Sequence, residues 1–176
     1  MRRNNLSELE IIEKSELTET EKTTLFKWGE DLWDNDRYGL TWCGTDVHFV
    51  GYLNEKAVTH SGVYGHVLSR DGHEIRLGGL NSVITTPDAR GKGYGSLIVG
   101  AAEDHMQHTG SFDFGMLFCH PELEDFYGPR GWTAIDGPVT IDQPTGPRRT
   151  PHTVMVMPFT DSDWQDGPLE LNSFPW

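Results

Sequence analysis

The sequence predicts an α/β (α+β) domain, and three observations lead to this fold class. A β-branched run at residues 83–86 is followed by a glycine-rich turn and then by an amphipathic stretch with helical spacing. Asp71-Gly72 is a two-residue hairpin signal between two long segments that alternate as strands do. Thr18 and Glu21 have the spacing of a capping box, which predicts the start of a helix.

Composition limits the partners of the chain. The 176 residues suffice for one domain with a full core. The net charge of −13, from 14 Lys+Arg and 27 Asp+Glu, disfavours nucleic acid and anionic membranes and favours cations, although solubility explains acidity equally well. We find no transmembrane run, no signal peptide, no disulfide framework at Cys43 and Cys119 and no metal spacing among the histidines. A cytoplasmic protein without a nucleic-acid or membrane partner is therefore expected.

The first half of the chain is predicted to form one helix and four strands. The helix follows the capping box and extends to about Trp33, and Asn54-Glu55 is a second turn between strands. Residues 30–38 mix carboxylates with aromatic rings, as either a solvated helix end or a surface that grips a polycation. The four strands are expected at residues 9–13, 46–53, 56–70 and 73–86.

The second half is predicted to form two helices and three strands. One helix runs from Tyr94 to Met106, and another begins at His120-Pro121 and ends at Gly128-Pro129. The tail at residues 160–176 is acidic and aromatic, and it is either disordered or docked. The strands are expected at residues 114–119, 132–141 and 153–159. The buried face of the first helix is predicted to contain Tyr94, Leu97, Ile98, Ala101, Ala102 and His105.

The segment Arg90–Ser96 predicts a phosphate site. Its three glycines remove Cβ atoms beside the first N–H groups of a helix, which have no internal partner and lie at the positive end of the helix dipole. Neither a Walker loop nor a dinucleotide fingerprint matches its spacing. The alternative is a turn used only for close strand-to-helix packing. The residues of the predicted site are Arg90, Gly91, Lys92, Gly93, Tyr94, Gly95 and Ser96.

The pattern Arg-x-x-Gly-x-Gly at Arg90, Gly93 and Gly95 resembles the acyl-CoA loop of the GNAT acetyltransferase superfamily. The segments Phe126–Trp132 and Pro144–Pro151 are similar to those of the aminoglycoside 2'-N-acetyltransferases. The resemblance implies the GNAT fold, a central mixed, mostly antiparallel twisted sheet of about seven strands flanked by about four helices. It also implies a single domain over residues 1–176, whose tail docks near the active site.

The same resemblance implies an enzyme, an N-acetyltransferase that uses acetyl-CoA as co-substrate and no metal. The expected acceptor is an amine of a cationic small molecule, in particular the 2'-amino group of an aminoglycoside, which attacks directly in a ternary complex. A homodimer is the expected assembly. Two alternatives remain: transfer to another amine, such as a polyamine, a metabolite or a peptide N-terminus, and a non-catalytic acyl-CoA-binding module.

Roles for single residues follow from this resemblance. Tyr127 is the expected general acid; the alternative is that Tyr127 is an aromatic residue that only packs in the core. Asn81 stands where the family places a glutamate, so the base is open, with Glu122 and Glu124 as candidates acting through water. The backbone of Val83, Ile84 and Thr85 is expected to pair with the pantetheine arm and to supply an oxyanion donor.

Acceptor binding is assigned to a ring of polar and acidic groups. Phe118 and Phe174 replace a serine and an aspartate of the family and are departures from its pattern. A ring of acids raises the local concentration of a cationic substrate. The predicted substrate-binding residues are Asp31, Asp36, Asn81, Ser82 and Trp176, the last through its terminal carboxylate.

Overall fold

The structure is a computed structural model that describes residues 9–29, 32–33 and 35–176. The strands of the described residues are β1 Glu10–Lys14, β2 Val47–Leu53, β3 Lys56–Arg70, β4 His73–Thr85, β5 Phe114–Cys119, β6 Thr133–Ala134, β7 Val139–Ile141, β8 Arg148–Arg149, β9 Thr153–Pro158 and β10 Leu169–Glu170. The α-helices are α1 Glu19–Phe26, α2 Asn35–Tyr38, α3 Tyr94–His108 and α4 Glu124–Tyr127, and short 3₁₀ turns cover Pro87–Ala89, Pro121–Leu123 and Gly128–Arg130.

Seven strands form the main sheet, in the order β1-β2-β3-β4-β5-β9-β6. Every neighbouring pair in it is antiparallel except β4 and β5, which are parallel. Phe49 packs with α3 and Val50 packs with α1. Because successive side chains of a strand point to opposite faces, these two helices cover opposite faces of the sheet. The predicted mixed, mostly antiparallel sheet is confirmed.

Two predicted turns and one predicted cap are confirmed in detail. Asn54 and Glu55 have φ of 48° and 64°, and Asp71 and Gly72 have φ of 50° and 78°. Positive φ at both central residues is the property of the hairpin turn that matches strand twist. At α1, Thr18 Oγ1 accepts from the Glu21 N–H, and the Glu21 carboxylate accepts from the Thr18 N–H. These short-range signals therefore fix the hairpins that build the sheet.

The first helix is shorter than predicted, because α1 ends at Phe26 rather than near Trp33. Lys27 leaves the helical conformation with φ −113°, and the Trp28 indole turns back to donate to the Leu25 carbonyl at 2.7 Å. The side chain thus satisfies a carbonyl that the helix end leaves without a partner. Leu25 is fully buried, as expected for the inner face.

Three further expectations are corrected. The predicted strand at residues 132–141 is two strands, β6 and β7, because the chain turns at Gly137 with φ 120°, where Gly167 crosses too closely for a Cβ atom. Part of the predicted loop at 144–151 pairs with β7 as β8. On α3, Leu97 is 54% exposed, whereas Val99 and Met106 are fully buried. The buried face of α3 is therefore rotated from the predicted one.

The tail is held against the domain along much of its length. β10 pairs in parallel with β7, and Leu171 behind it is fully buried. The Cys43 N–H donates to the Pro175 carbonyl at 2.7 Å. The Trp176 ring is buried among Tyr64, His66 and Phe118. The apolar and aromatic residues of the tail thus reach the core, while its acidic side chains stay exposed.

Trp176 lies where the parallel pairing of β4 and β5 ends. Its indole Nε1 donates to the Met116 carbonyl at 3.0 Å. Across the sheet Gly79 is paired with Met116, and a Cβ atom on Gly79 would lie 2.3 Å from Trp176 Nε1. The missing side chain of Gly79 is therefore what lets the indole lie against the backbone.

A double-mutant cycle on Gly79 and Trp176 tests this contact. Gly79→Ala should lower the free energy of unfolding by about 1–3 kcal/mol, because the added methyl overlaps the indole. Trp176→Ala should cost about 3–5 kcal/mol through the cavity it leaves. In the Trp176→Ala background, Gly79→Ala should lower the free energy of unfolding much less than it does in the wild type. Urea unfolding of the four proteins measures the coupling, and additive effects would contradict the contact.

Candidate active site

The site begins where β4 and β5 separate. Their parallel pairing covers three residue pairs, from Leu77–Phe114 to Gly79–Met116. Beyond them β3 still pairs with β4 as far as Thr85, and β9 still pairs with β5 as far as Cys119. Each strand is therefore held on its outer side, and the gap between the two opens into a cavity of about 310 Å³. Backbone groups that border such a gap need a partner, which an extended ligand can provide.

A bulge shapes the β4 side of the gap. The register with β3 shifts so that Ser82 and Val83 stand opposite the single residue Ser61, and Ser82 has φ 48°. Bulges re-aim side chains and interrupt the ladder of hydrogen bonds. Asn81, just before the bulge, accepts from Thr45 Oγ1 at 2.8 Å and donates to the Gly44 carbonyl at 3.4 Å. Asn81, Ser82 and Val83 all line the cavity.

The glycine-rich loop lies between β4 and α3. Gly91 and Gly93 have φ of 73° and 83°, and no atom lies within 4 Å of where their Cβ atoms would be. Gly93 is the N-cap of α3, so the open space lies directly at a helix N-terminus. That combination of free N–H groups, a positive dipole end and an open approach is the geometry of a phosphate site.

The cations of this loop are arranged around it. Arg90 Nε donates to the Thr85 carbonyl at 3.1 Å, and the guanidinium stands 5.1 Å from the Trp28 ring centroid. Lys92 Nζ donates to the Asp88 carbonyl. The hydrogen bond from Lys56, with one from Thr86, lowers the pKa of Asp88 to about 2. The Asp88 charge is thus already paired beside the predicted phosphate position.

Three of the predicted cofactor residues have structural partners of their own. Tyr94 is buried against Val58 and Ala89 and anchors the first turn of α3. Ser96 Oγ accepts from Arg130 Nη1 at 2.9 Å. Ile84 belongs to the core on the α1 side of the sheet. The side chains of these three residues are therefore engaged within the protein.

Tyr127 lines the cavity from α4. Its ring packs edge-on against Phe126 at 4.9 Å and near Trp132 at 6.3 Å between centroids. Burial, above all, raises the pKa of Tyr127, with a further contribution from Cys119. The phenol therefore stays protonated at neutral pH, as a proton donor must.

A buried network holds the Tyr127 segment to α3. Glu103 accepts from Arg130 through both carboxylate oxygens, at 2.9 and 2.6 Å, and from the Trp132 indole at 2.7 Å. Arg130 also reaches Ser96 on the first turn of α3. The side chains of Glu103 and Arg130 are only 14% and 18% exposed. A bidentate pair with so little solvent contact fixes the loop after Tyr127 relative to the glycine-rich turn.

Cys119 also borders the cavity but is a poor nucleophile. Burial, followed by the charges of Glu124 and Glu122, raises the pKa of the Cys119 thiol to about 12. The thiolate is the nucleophilic form of cysteine, and little of it exists at neutral pH with such a pKa. Cys119 is therefore poorly suited to form a covalent intermediate.

Aromatic and imidazole rings form the remaining walls. The rings of His120 and His152 lie 5.3 Å apart, and that of Trp42 lies 5.4 Å from His152. Cys119 pairs with Thr153 across β5 and β9, so His120 and His152 directly follow and precede that pair. Sequence reasoning missed both histidines because only this register brings them together.

The carboxylates predicted for the site either lie away from the main cavity or fall outside the described residues. Glu122 is exposed, and Glu124 accepts from Thr153 Oγ1 at 2.8 Å beside a second cavity. Asp31 is outside the described residues, and so is the side chain of Asp36. Among the described residues that line the main cavity none is an aspartate or a glutamate. Trp176 is one of these lining residues, and substrate binding through its terminal carboxylate stays a prediction.

None of the helices in the described ranges is both long and apolar enough to cross a bilayer. Over the same part of the chain, no cluster of three or more His, Cys, Asp or Glu side chains has an arrangement able to hold a metal ion.

Sequence comparison identifies the class. The profile of the Acetyltransferase (GNAT) family matches residues 5–127, well over half of the chain, so this protein belongs to that family. An aminoglycoside 2'-N-acetyltransferase from Mycolicibacterium fortuitum is 26% identical over 126 residues. That alignment covers 62% of this chain and 64% of the relative, so the chain spans less than two thirds of the relative's length. The resemblance predicted from the glycine-rich loop is confirmed at the level of the family.

Solved structures share the fold. The GNAT-family N-acetyltransferase YhbS from Escherichia coli, in complex with CoA, has a TM-score of 0.60 at 14% identity and covers 97% of this chain and 94% of its own. An acyl-CoA N-acyltransferase from Pseudomonas aeruginosa has a TM-score of 0.56 at 19% identity, and the match covers 85% of this chain and 99% of that one. The predicted fold class is confirmed by these likenesses.

Stability measurements on Glu103 test the network behind Tyr127. Glu103→Gln should lower the free energy of unfolding by about 1–3 kcal/mol, because it leaves the partly buried Arg130 charge without a counter-ion. The matched control, Glu122→Gln on the exposed turn before α4, should change it by less than about 0.5 kcal/mol. Equal effects of the two changes in urea unfolding would show that the network contributes little.

Proposed function

We propose that this protein is an N-acetyltransferase that transfers the acetyl group of acetyl-CoA directly to an amine. The observation that carries the proposal is the gap between β4 and β5, which has Tyr127 in its wall and the glycine-rich N-terminus of α3 at the end of β4. A non-catalytic acyl-CoA-binding module has no use for a buried, protonated phenol at the place where the strands part.

The donor binds along β4 in this proposal. The backbone of Val83, Ile84 and Thr85 pairs with the pantetheine arm as an added strand would, except that the Ile84 carbonyl already accepts from Thr59 Oγ1 and the Thr85 carbonyl from Arg90 Nε. The pyrophosphate lies at the N-terminus of α3, against the N–H groups of the loop Arg90–Ser96. The free Nη groups of Arg90, which make no hydrogen bond to described residues, are directed to the same anion.

The reaction is a single displacement. A base removes a proton from the ammonium, and the neutral amine then attacks the thioester carbon, forming the C–N bond as the C–S bond breaks. The Val83 N–H stabilises the developing oxyanion, and the Tyr127 hydroxyl gives its proton to the leaving thiolate. The N-protonated amide then loses its extra proton to solvent, and the Tyr127 phenolate takes a proton back from solvent. We assign the base to His120, because it lines the cavity while Glu122 and Glu124 do not. Imidazole is also the side chain best suited to exchange protons near neutral pH.

The acceptor we propose is a cationic amine, with an aminoglycoside as the first candidate. The similarity to an aminoglycoside 2'-N-acetyltransferase and the excess of 27 acids over 14 bases support it. The indoles of Trp33, Trp42 and Trp176 offer π faces that attract an ammonium group. The same apolar walls favour, as a second candidate, an amine on a smaller and less polar body, for which Asn81 supplies the hydrogen bond.

Tyr127→Phe is the direct test of transfer. Loss of the proton donor should lower kcat for CoA release by about 10²-fold or more. Affinity for acetyl-CoA, measured by titration calorimetry, should stay within about twofold, because the hydroxyl stabilises the transition state rather than the ground state. A thiol-release rate equal to wild type would remove Tyr127 from the chemistry.

Charge reversal at Arg90 tests the donor site. Arg90→Glu should weaken acetyl-CoA binding by about tenfold or more, since it replaces a favourable charge with a repulsive one beside the pyrophosphate. Lys22→Glu on exposed α1 makes the same change in net charge away from the site and should have little effect. Equal affinities of the two variants would argue against the loop as the donor site.

A panel of aminoglycosides, polyamines and aromatic monoamines in the thiol-release assay then ranks the acceptors.

A further inference from the structure

His60 is a fully buried polar side chain that the chemistry above does not use. It lies on β3, where its Nδ1 is 2.7 Å from the Ser82 carbonyl oxygen and its Nε2 is 2.9 Å from His48 Nδ1. The Phe26 ring packs edge-on against it at 5.2 Å. The imidazole is therefore fixed by two hydrogen bonds and by a ring contact, directly behind the bulge that lines the cavity.

The partners of His60 determine its tautomer. A carbonyl oxygen only accepts, so His60 Nδ1 carries the hydrogen and donates to Ser82. Nε2 is then the acceptor, and His48 Nδ1 donates to it. Burial above all lowers the pKa of His60 to about 4, so the ring is neutral at physiological pH. The direction of the donated hydrogen bonds thus runs from His48 through His60 to the bulge.

The hydrogen bond from His60 orients a whole peptide group. The chain has no cis peptide bonds among its described residues, so the Ser82 C=O and the Val83 N–H point in opposite directions. Ser82 holds a left-handed φ of 48° without being glycine, a conformation that persists only where its surroundings enforce it. Fixing the Ser82 oxygen toward His60 therefore fixes the Val83 N–H away from His60.

We propose that His60 is a positioning residue that aims the Val83 N–H at the acyl carbonyl by holding the Ser82 oxygen. This rests on the proposed function, in which Val83 is the oxyanion donor. Neither Ser82 nor Val83 has its own partner in the register with β3, and β5 has already diverged at this level. Without His60 the peptide is free to rotate, and the donor loses its preorganised direction.

Replacing His60 by asparagine or by glutamine distinguishes the role of Nδ1 from that of Nε2. Asparagine places an N–H near the position of Nδ1 and keeps the bond to Ser82, whereas glutamine reaches toward Nε2 and loses it. His60→Asn should keep kcat within about fivefold of wild type, and His60→Gln should lose about 10²-fold, the size of the effect of removing one oxyanion donor. KM for acetyl-CoA should change little in either.

His48→Leu is the matched control on the other side of the ring. It removes the partner of Nε2 and leaves the Ser82 contact, so the melting temperature should fall while kcat stays near wild type. A kcat that follows melting temperature across the variants, or equal losses in His60→Asn and His60→Gln, would overturn the positioning role.

A second readout is independent of turnover. In the ¹H–¹⁵N spectrum, acetyl-CoA should shift the Val83 amide resonance in the wild type and in His60→Asn, but not in His60→Gln. A wild type that releases no CoA with any amine would refute the proposed function, whereas the Val83 resonance would still report on His60. Identical Val83 shifts in all three proteins would refute the positioning role alone.

Discussion

The contact between Trp176, Gly79 and Met116 is the constraint on which the cavity depends. Two parallel neighbours in a sheet forfeit hydrogen bonds when they part, so their separation needs compensating contacts. Here the indole lies against the glycine backbone and satisfies the Met116 carbonyl at the last paired position. The cost of separating the strands is offset by burial of a large aromatic ring.

Beyond Trp176, β4 stays paired with β3 and β5 stays paired with β9, so both walls of the gap are held in place. His60 on β3 holds the bulge, and His152, directly before β9, lies against the ring of His120. On the other face, Glu103 ties the Tyr127 segment to α3. The functional groups thus come from separate strands and helices, and a few buried polar contacts hold each of them in place.

Local signals predicted most of the fold, and long-range contacts explain what they missed. The turn residues Asn54-Glu55 and Asp71-Gly72 and the Thr18–Glu21 cap act within four residues, so their effect is visible in sequence. The end of α1 depends on an indole turning back to its own helix, which no periodic pattern encodes. The rotated face of α3 depends in the same way on which side of the sheet it covers.

The same distinction between local signals and long-range contacts applies to the candidate site. Gly93 and Tyr127 were predicted because a short motif and a family pattern mark them. His60 escaped because a single histidine in a strand gives no sign of a partner 22 residues away. His120 and His152 escaped because their contact requires the register of two strands that are distant in the chain.

The long β3–β4 hairpin bears on how the molecule folds. Its strands are joined by a two-residue turn, so their pairing closes small loops first and costs little chain entropy. The bond from Trp176 to Met116 spans 60 residues and needs both β5 and the tail in place. Non-local contacts of this kind form slowly. The hairpin can therefore form from its own residues, whereas the gap beside it takes shape only after segments distant in the sequence have come together.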